Sequence, residues 1–194
     1  GLNKFNESKV EVALEKVTND TYLKVFESSL IDIDKKIKPS SQSQLTSNFK
    51  LNLSHNKFNF ETGMSSYETL GGLNSDKYQY VLPYYELDIP QIKTNEFGKF
   101  SLSSSGSNNL KNTNNLSSSI TNNLSFITKD FMSLNGIINK FGFYFKNTNK
   151  VGKKVSTLKN NPQVDLMSIF NFESNYPLIK VDENYYNSLI PKLS

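Results

Sequence analysis

The feature that most limits what this chain can fold into is a period of two. In Lys9–Val17 the residues Val10, Val12 and Leu14 share one parity, while Glu11 and Glu15 take the other. From Leu45 to Leu53 the apolar set is Leu45, Phe49, Leu51 and Leu53, interleaved with Thr46, Asn48, Lys50 and Asn52. After Ser54-His55-Asn56-Lys57 the parity resets to Phe58, Phe60 and Met64. Successive side chains of a strand point to opposite faces, so such runs predict strands with one apolar and one polar face. Two of them split by a short polar cluster predict a hairpin, here Leu45–Leu53 against Phe58–Met64 around Ser54–Lys57.

The pattern continues to the end of the chain. Lys77–Ile89 carries apolar residues on both parities, and Pro83, which has no N–H for a ladder, predicts a bulge or an unpaired position there. Phe100 and Leu102 open a strand that is expected to dissolve into a loop at Ser103–Asn109, and Leu116, Ile120, Leu124 and Phe126 resume the alternation. Asn135-Gly136 carries a type I′ turn signal, compatible with a hairpin turn or with a bulge inside a long strand. The runs Ile137, Phe141, Phe143, Phe145 and Val164, Leu166, Phe170, Phe172 follow. Nowhere do apolar residues recur at helical spacing beyond two turns. The expectation is all-β, an antiparallel up-and-down meander of about eight to ten strands, each of roughly 8 to 14 residues.

Two architectures accept such strands: a soluble sandwich, and a membrane barrel with an apolar outer band and a wet lumen. Strand length favours the barrel. A spanning strand needs about 9 to 11 residues, whereas strands of soluble proteins centre on about 5 to 6. No stretch reaches the roughly 18 to 20 apolar residues of a membrane helix. Hydrophobic residues make up only 36% of the chain, which a barrel tolerates because its strands dilute the average. The 14 Phe and 10 Tyr argue against disorder despite the Asn/Ser tracts. All 22 basic residues are lysine, scattered but for Lys35-Lys36 and Lys153-Lys154, so the net charge of +4 reads as a solvated surface and no nucleic-acid partner is expected. Zero cysteine removes disulfides, thiolate nucleophiles and cysteine metal sites. Gly1-Leu2-Asn3 shows no export signal, and Leu189–Ser194 reads as a strand beginning. The expectation is one partial barrel domain over residues 1–194, truncated at both ends, with an open or incomplete sheet.

Several stretches resemble a known family. Glu11–Phe26 is similar to a barrel segment of the lipopolysaccharide-assembly protein LptD family (the organic solvent tolerance proteins): an alternating strand, a turn at Val17-Thr18-Asn19-Asp20, then an aromatic strand start. Phe49–Phe60 and Lys77–Glu86, with Leu82-Pro83 inside a Tyr-rich run, resemble the next strands. Phe131–Asn147, Tyr176–Lys180 and Leu189–Lys192 are similar to later ones. The resemblance implies a middle portion of a large transmembrane β-barrel in the cell outer membrane of a Gram-negative bacterium, delivering lipopolysaccharide to the outer leaflet. It implies as partners lipopolysaccharide, membrane lipids, an LptE-like plug lipoprotein and an LptA-like periplasmic bridge. The alternatives are another outer-membrane barrel such as a diffusion porin, or a soluble secreted, adhesin-like β-protein.

No catalytic constellation is visible, and no enzymatic activity, cofactor or metal is expected. His55 stands alone in an expected turn. Asp32 and Asp34 lack the glycine and closing glutamate of a calcium loop. Ser and Thr lack a nucleophile elbow, and Gly71-Gly72 and Gly106 open no helix. The residues with a functional expectation lie on one strand: Phe141, Phe143 and Phe145 as the lipid-facing set, and Lys140, Tyr144 and Lys146 as the lumen-facing set. A wall of this kind works by satisfying every backbone group between neighbours while presenting hydrocarbon to hydrocarbon.

Overall fold

The computed structural model describes residues 4–25, 43–71, 77–94, 97–111, 114–182 and 185–193. Strands β1 (Glu7–Ala13), β2 (Gln44–His55), β3 (Phe58–Thr69), β4 (Tyr78–Thr94), β5 (Gly98–Lys111) and β6 (Asn115–Thr128) pair in sequence order. The meander then continues through β8 (Ile138–Lys153) and β9 (Gln163–Asn175), while the short β7 (Phe131–Met132) pairs with the start of β8. β10 (Leu178–Asp182) and β11 (Tyr185–Leu189) form a separate hairpin, and β12 (Lys192–Leu193) returns to pair with the end of β9. Every pairing is antiparallel, and β1 and β9 do not meet, so the sheet is open. The one helix among the described residues is a single turn, α1 (Tyr22–Val25).

The expected hairpin is present, with His55 opposite Phe58 and only Asn56 and Lys57 in the turn. His55 thus ends β2 and stacks on Phe58 at 5.1 Å between ring centres, outside the turn where the sequence placed it. Pro83 sits in a bulge. Leu82 and Pro83 together oppose one residue on each neighbour, because Val81 and Tyr84 pair with Ser65 and Gly63 on β3 and with Asn109 and Ser107 on β5. The extra residue switches parity, which is why apolar residues fall on both parities of this run. A second bulge between Ile89 and Ile92 contains Pro90.

Three expectations are corrected. Ser103–Asn109 is not a loop: β5 runs unbroken through it, each residue paired with β6, since both neighbours supply the ladder that Ser and Asn would otherwise seek locally. The aromatic strand start after Asp20 is instead the turn of helix α1, preceded by Asn19, whose Oδ1 accepts from the Thr21 amide. Asn135-Gly136 lies in the β7–β8 hairpin, but only Gly136 has positive φ (+80°), so the type I′ assignment fails. The Gly136 amide donates to the Ser133 carbonyl at 2.9 Å, which fits a type I turn closed by a left-handed glycine. Asp32 and Asp34 lie outside the described residues.

The sheet is a single layer. The accessible surface of the whole chain is 14182 Å², half again the roughly 9,300 Å² expected of a compact globular chain of this mass. Among the described residues the buried apolar side chains are Leu23, Leu45 and Leu70, with Val17 packed against them. They form a small plug where the segment after β1 folds over the end of β2 and β3. Lys77 braces it, bonding Asp20 at 2.9 Å and Glu68 at 3.3 Å.

Candidate functional site: the two faces of the sheet

Cross-strand partners in an antiparallel pair share a face, so the registers sort each strand's side chains. One face collects Val10 and Val12 of β1, Phe49, Leu51 and Leu53 of β2, and Phe58, Phe60 and Met64 of β3. It continues through Tyr85, Leu87 and Ile89 of β4, Phe100 and Leu102 of β5, and Leu124 and Phe126 of β6. Phe141, Phe143 and Phe145 of β8 and Phe170 and Phe172 of β9 extend it, and Leu110, Leu116, Ile120, Val151, Leu166 and Val164 lie on the same face to one side of these residues. Much of it is uncovered: Val12 is 62% exposed and Phe170 68%.

The opposite face is polar and changes character across its width. Glu61, Glu86 and Asp88 occupy β3 and β4. In the centre β5 and β6 present only small uncharged side chains: Ser101, Ser103, Ser105 and Ser107 against Ser125, Asn123, Thr121 and Ser119. Ser101 and Ser125 bond each other at 2.7 Å, and Asn123 donates to Ser103 at 3.1 Å. Lys140, Lys146 and Lys150 follow on β8. The expected separation on β8 is therefore found, with Lys140, Tyr144 and Lys146 opposite in facing to Phe141, Phe143 and Phe145. What the strand pattern missed is an apolar island on the polar side. Tyr144 pairs with Ile169, and Met167 lies next to it, bordering an open groove of about 330 Å³ floored by Ser103 and Ser125.

The apolar face is not laid out along the hydrogen-bond rows. Its centre on β2 is Leu51, whose row runs through Thr62, Tyr85, Gly106 and Ile120 to Asn149 on β8. On β8 the centre is Phe143, six positions from Asn149. Between them it passes Phe60, Leu87, Leu102 and Leu124, moving in one direction. Six residues are about 20 Å along a strand, and five strand steps are about 24 Å across the sheet, so the stripe is inclined by about 40° to the rows.

Aromatic side chains mark its borders. Phe5, His55 and Phe58 cluster at one edge, with ring centres 5.1 to 6.3 Å apart. Tyr78 and Tyr80 stack at the other, 6.3 Å apart. Beyond the stripe on the β5–β8 side a chain of polar contacts crosses the same face. Tyr85 and Ser104 bond at 3.1 Å, Ser104 donates to Asn122 at 2.7 Å, and Asn122 donates to Asn147 at 3.3 Å. No strand-by-strand reading finds this chain, because its members come from four strands.

Among the described residues no group of His, Asp or Glu is arranged to hold a metal ion. No protein-family model matches the chain, and the comparison with curated proteins found no match.

Proposed function

We propose that this chain is a stretch of the wall of a transmembrane β-barrel, with the apolar stripe against lipid and the Ser/Asn/Lys face lining a water-filled lumen. The inclination of the stripe carries the reading. Strands of membrane barrels tilt about 35–45° from the membrane normal, so a band level with the bilayer must cross the hydrogen-bond rows at that angle. The aromatic borders support it: from Phe58 to the Ser66–Tyr80 row is eight residues of β3, about 27 Å along the strand and about 21 Å along a normal 40° away. That compares with the roughly 25 Å band of known membrane barrels. The single layer also needs a cover that the described residues do not supply.

Within that reading the cargo is lipopolysaccharide delivered to the outer leaflet of an outer membrane, as the resemblance of Glu11–Phe26 and Lys77–Glu86 to the LptD family implies. The polar face supports it, since hydroxyls and amides suit saccharide and the lysines suit phosphate.

Because the chain has no Trp, single tryptophans report cleanly. Phe143→Trp should be quenched by brominated phospholipid and Lys146→Trp by aqueous acrylamide. The reverse pattern, or acrylamide quenching at both sites, overturns the wall reading. A photo-crosslinker at Tyr144 should capture lipopolysaccharide; capture of phospholipid alone leaves the wall and removes the cargo.

A further inference from the structure

The charge of the chain is concentrated in one segment. From Phe131 to Val164 there is no acidic residue, while Lys140, Lys146, Lys150, Lys153, Lys154 and Lys159 supply six positive charges. The net charge of the whole chain is only +4, so the remainder is net acidic. The ion pairs among the described residues engage Lys9, Lys16, Lys50 and Lys77, and none of these six. Three of the six stand together and exposed at the end of β8 and on the β8–β9 connection: Lys153, Lys154 and Lys159.

This connection is a built loop. The Gly152 amide donates to the Lys159 carbonyl at 2.9 Å, and the Leu158 amide to the Val155 carbonyl at 3.2 Å. Leu158 lies so close over Gly152 that a Cβ added there would sit 2.5 Å from the Leu158 Cβ. Lys154 takes φ +56°, the one positive φ at a non-glycine position among the described residues. Such a conformation persists only where its surroundings enforce it. The fold thus holds a bent backbone that brings Lys159 back beside Lys153 and Lys154.

Its level matters as much as its charge. Lys153 pairs with Leu116 and shares the face of Phe143. It lies ten residues along β8 from the stripe's centre, about 34 Å along the strand and so about 26 Å along a normal tilted by 40°. The headgroup layers of a bilayer end about 20 to 22 Å from its midplane, and a lysine stem spans the remaining distance.

We propose that the β8–β9 loop is a lipid-contacting rim in which Lys153, Lys154 and Lys159 bind the phosphates of anionic lipid headgroups, beyond the border of the apolar stripe. The proposal rests on the barrel reading for the level of the loop. The absence of Arg and of aromatic side chains in the loop disfavours nucleic acid as the occupant.

The test is flotation of the refolded chain with phosphatidylcholine vesicles and with vesicles containing equal phosphatidylglycerol. Three forms are compared: the wild type, Lys153→Gln/Lys154→Gln/Lys159→Gln, and the corresponding triple Arg variant. Each lysine near an anionic surface contributes about fivefold in binding. The triple Gln variant should therefore lose roughly hundredfold of the preference for the anionic vesicles, the triple Arg variant should keep it, and salt should suppress it. A triple Gln variant that floats with phosphatidylcholine and keeps the wild-type anionic preference overturns the rim while leaving the barrel standing. Failure of every form to float with either vesicle overturns both. Duplex DNA that competes for the loop, with no anionic preference among vesicles, assigns the lysines to nucleic acid and also overturns the rim.

Discussion

Gly106 shows how closely single residues are constrained in a layer with no interior. The ring of Tyr85 lies across it from β4, and a Cβ at position 106 would stand 2.5 Å from the Tyr85 ring and 3.3 Å from Ile120. An aromatic ring over a glycine covers backbone that would otherwise be bare. Gly106→Val should lower stability by about 1 to 3 kcal/mol, as overpacking does. Thermal unfolding of Gly106→Val, Tyr85→Ala and the double variant measures it. The double variant should be less damaged than the sum of the two, and full additivity would show that the ring does not press on this site. At the end plug, the hydrogen bond from Lys77, then that from the Gly71 amide, holds the Asp20 carboxyl below the ordinary aspartate value, and Asp20 in turn raises Lys77. A lowered folded-state value means that Asp20 stabilises fully above its unfolded value, about 4, and loses this as the pH falls through the lower one. Lys77 contributes below the ordinary lysine value, and that contribution fades only as the pH rises past about 10. The melting difference between the wild type and Asp20→Asn should be level from mildly acidic to mildly basic pH and should shrink below about pH 4. A difference that grows on acidification contradicts this pairing. None of these partners was legible in the sequence: Asp20 and Lys77 are 57 positions apart, and no periodicity joins them.

Among the elements, β4 departs furthest from a simple alternation. Its parity switch is produced by the Leu82-Pro83 bulge, which puts Tyr78 and Tyr80 on the same face as Tyr85, Leu87 and Ile89. Proline suits the site because a bulged residue owes the ladder no N–H. The residue count should matter more than the ring. Pro83→Val keeps the count and should cost within about 0.5 kcal/mol, as a surface exchange does. Deleting Pro83 shifts the preceding part of the strand by one and turns Tyr78 and Tyr80 to the polar face. That deletion should cost several times more in thermal or denaturant unfolding, and equal losses would show that the ring, not the count, makes the bulge. The bulge was legible because proline's missing donor is a local fact. β5 was misread because Ser and Asn tracts look like loops in isolation, and their strand conformation is imposed by β4 and β6. Helix α1 was missed because one turn is too short to show a period.

For the molecule as a whole, the alternation within each strand was legible and the inclination across strands was not. A sequence reveals which residues of Phe141–Phe145 share a face, but not that Leu51 is level with Phe143 rather than with its own row partner. That depends on five registers, each fixed by where a turn falls and by whether a bulge intervenes. The two alternatives make opposite predictions about depth. If the sheet spans a bilayer with its strands inclined by about 40°, Leu51→Trp and Phe143→Trp should sit at the same depth near the midplane. Asn149→Trp, in Leu51's own hydrogen-bond row, should then lie nearer the headgroups. The offset is six residues at about 3.4 Å each, projected on the tilted normal, or about 16 Å. Phospholipids brominated at different positions along the acyl chain measure it in single-tryptophan variants, since the wild type contributes no signal. Deep bromines should quench positions 51 and 143 alike, and shallow ones position 149. If 51 and 149 quench alike and 143 lies elsewhere, the rows themselves are level with the membrane and the strands are untilted. No closed barrel permits that, because closure requires the strands to tilt.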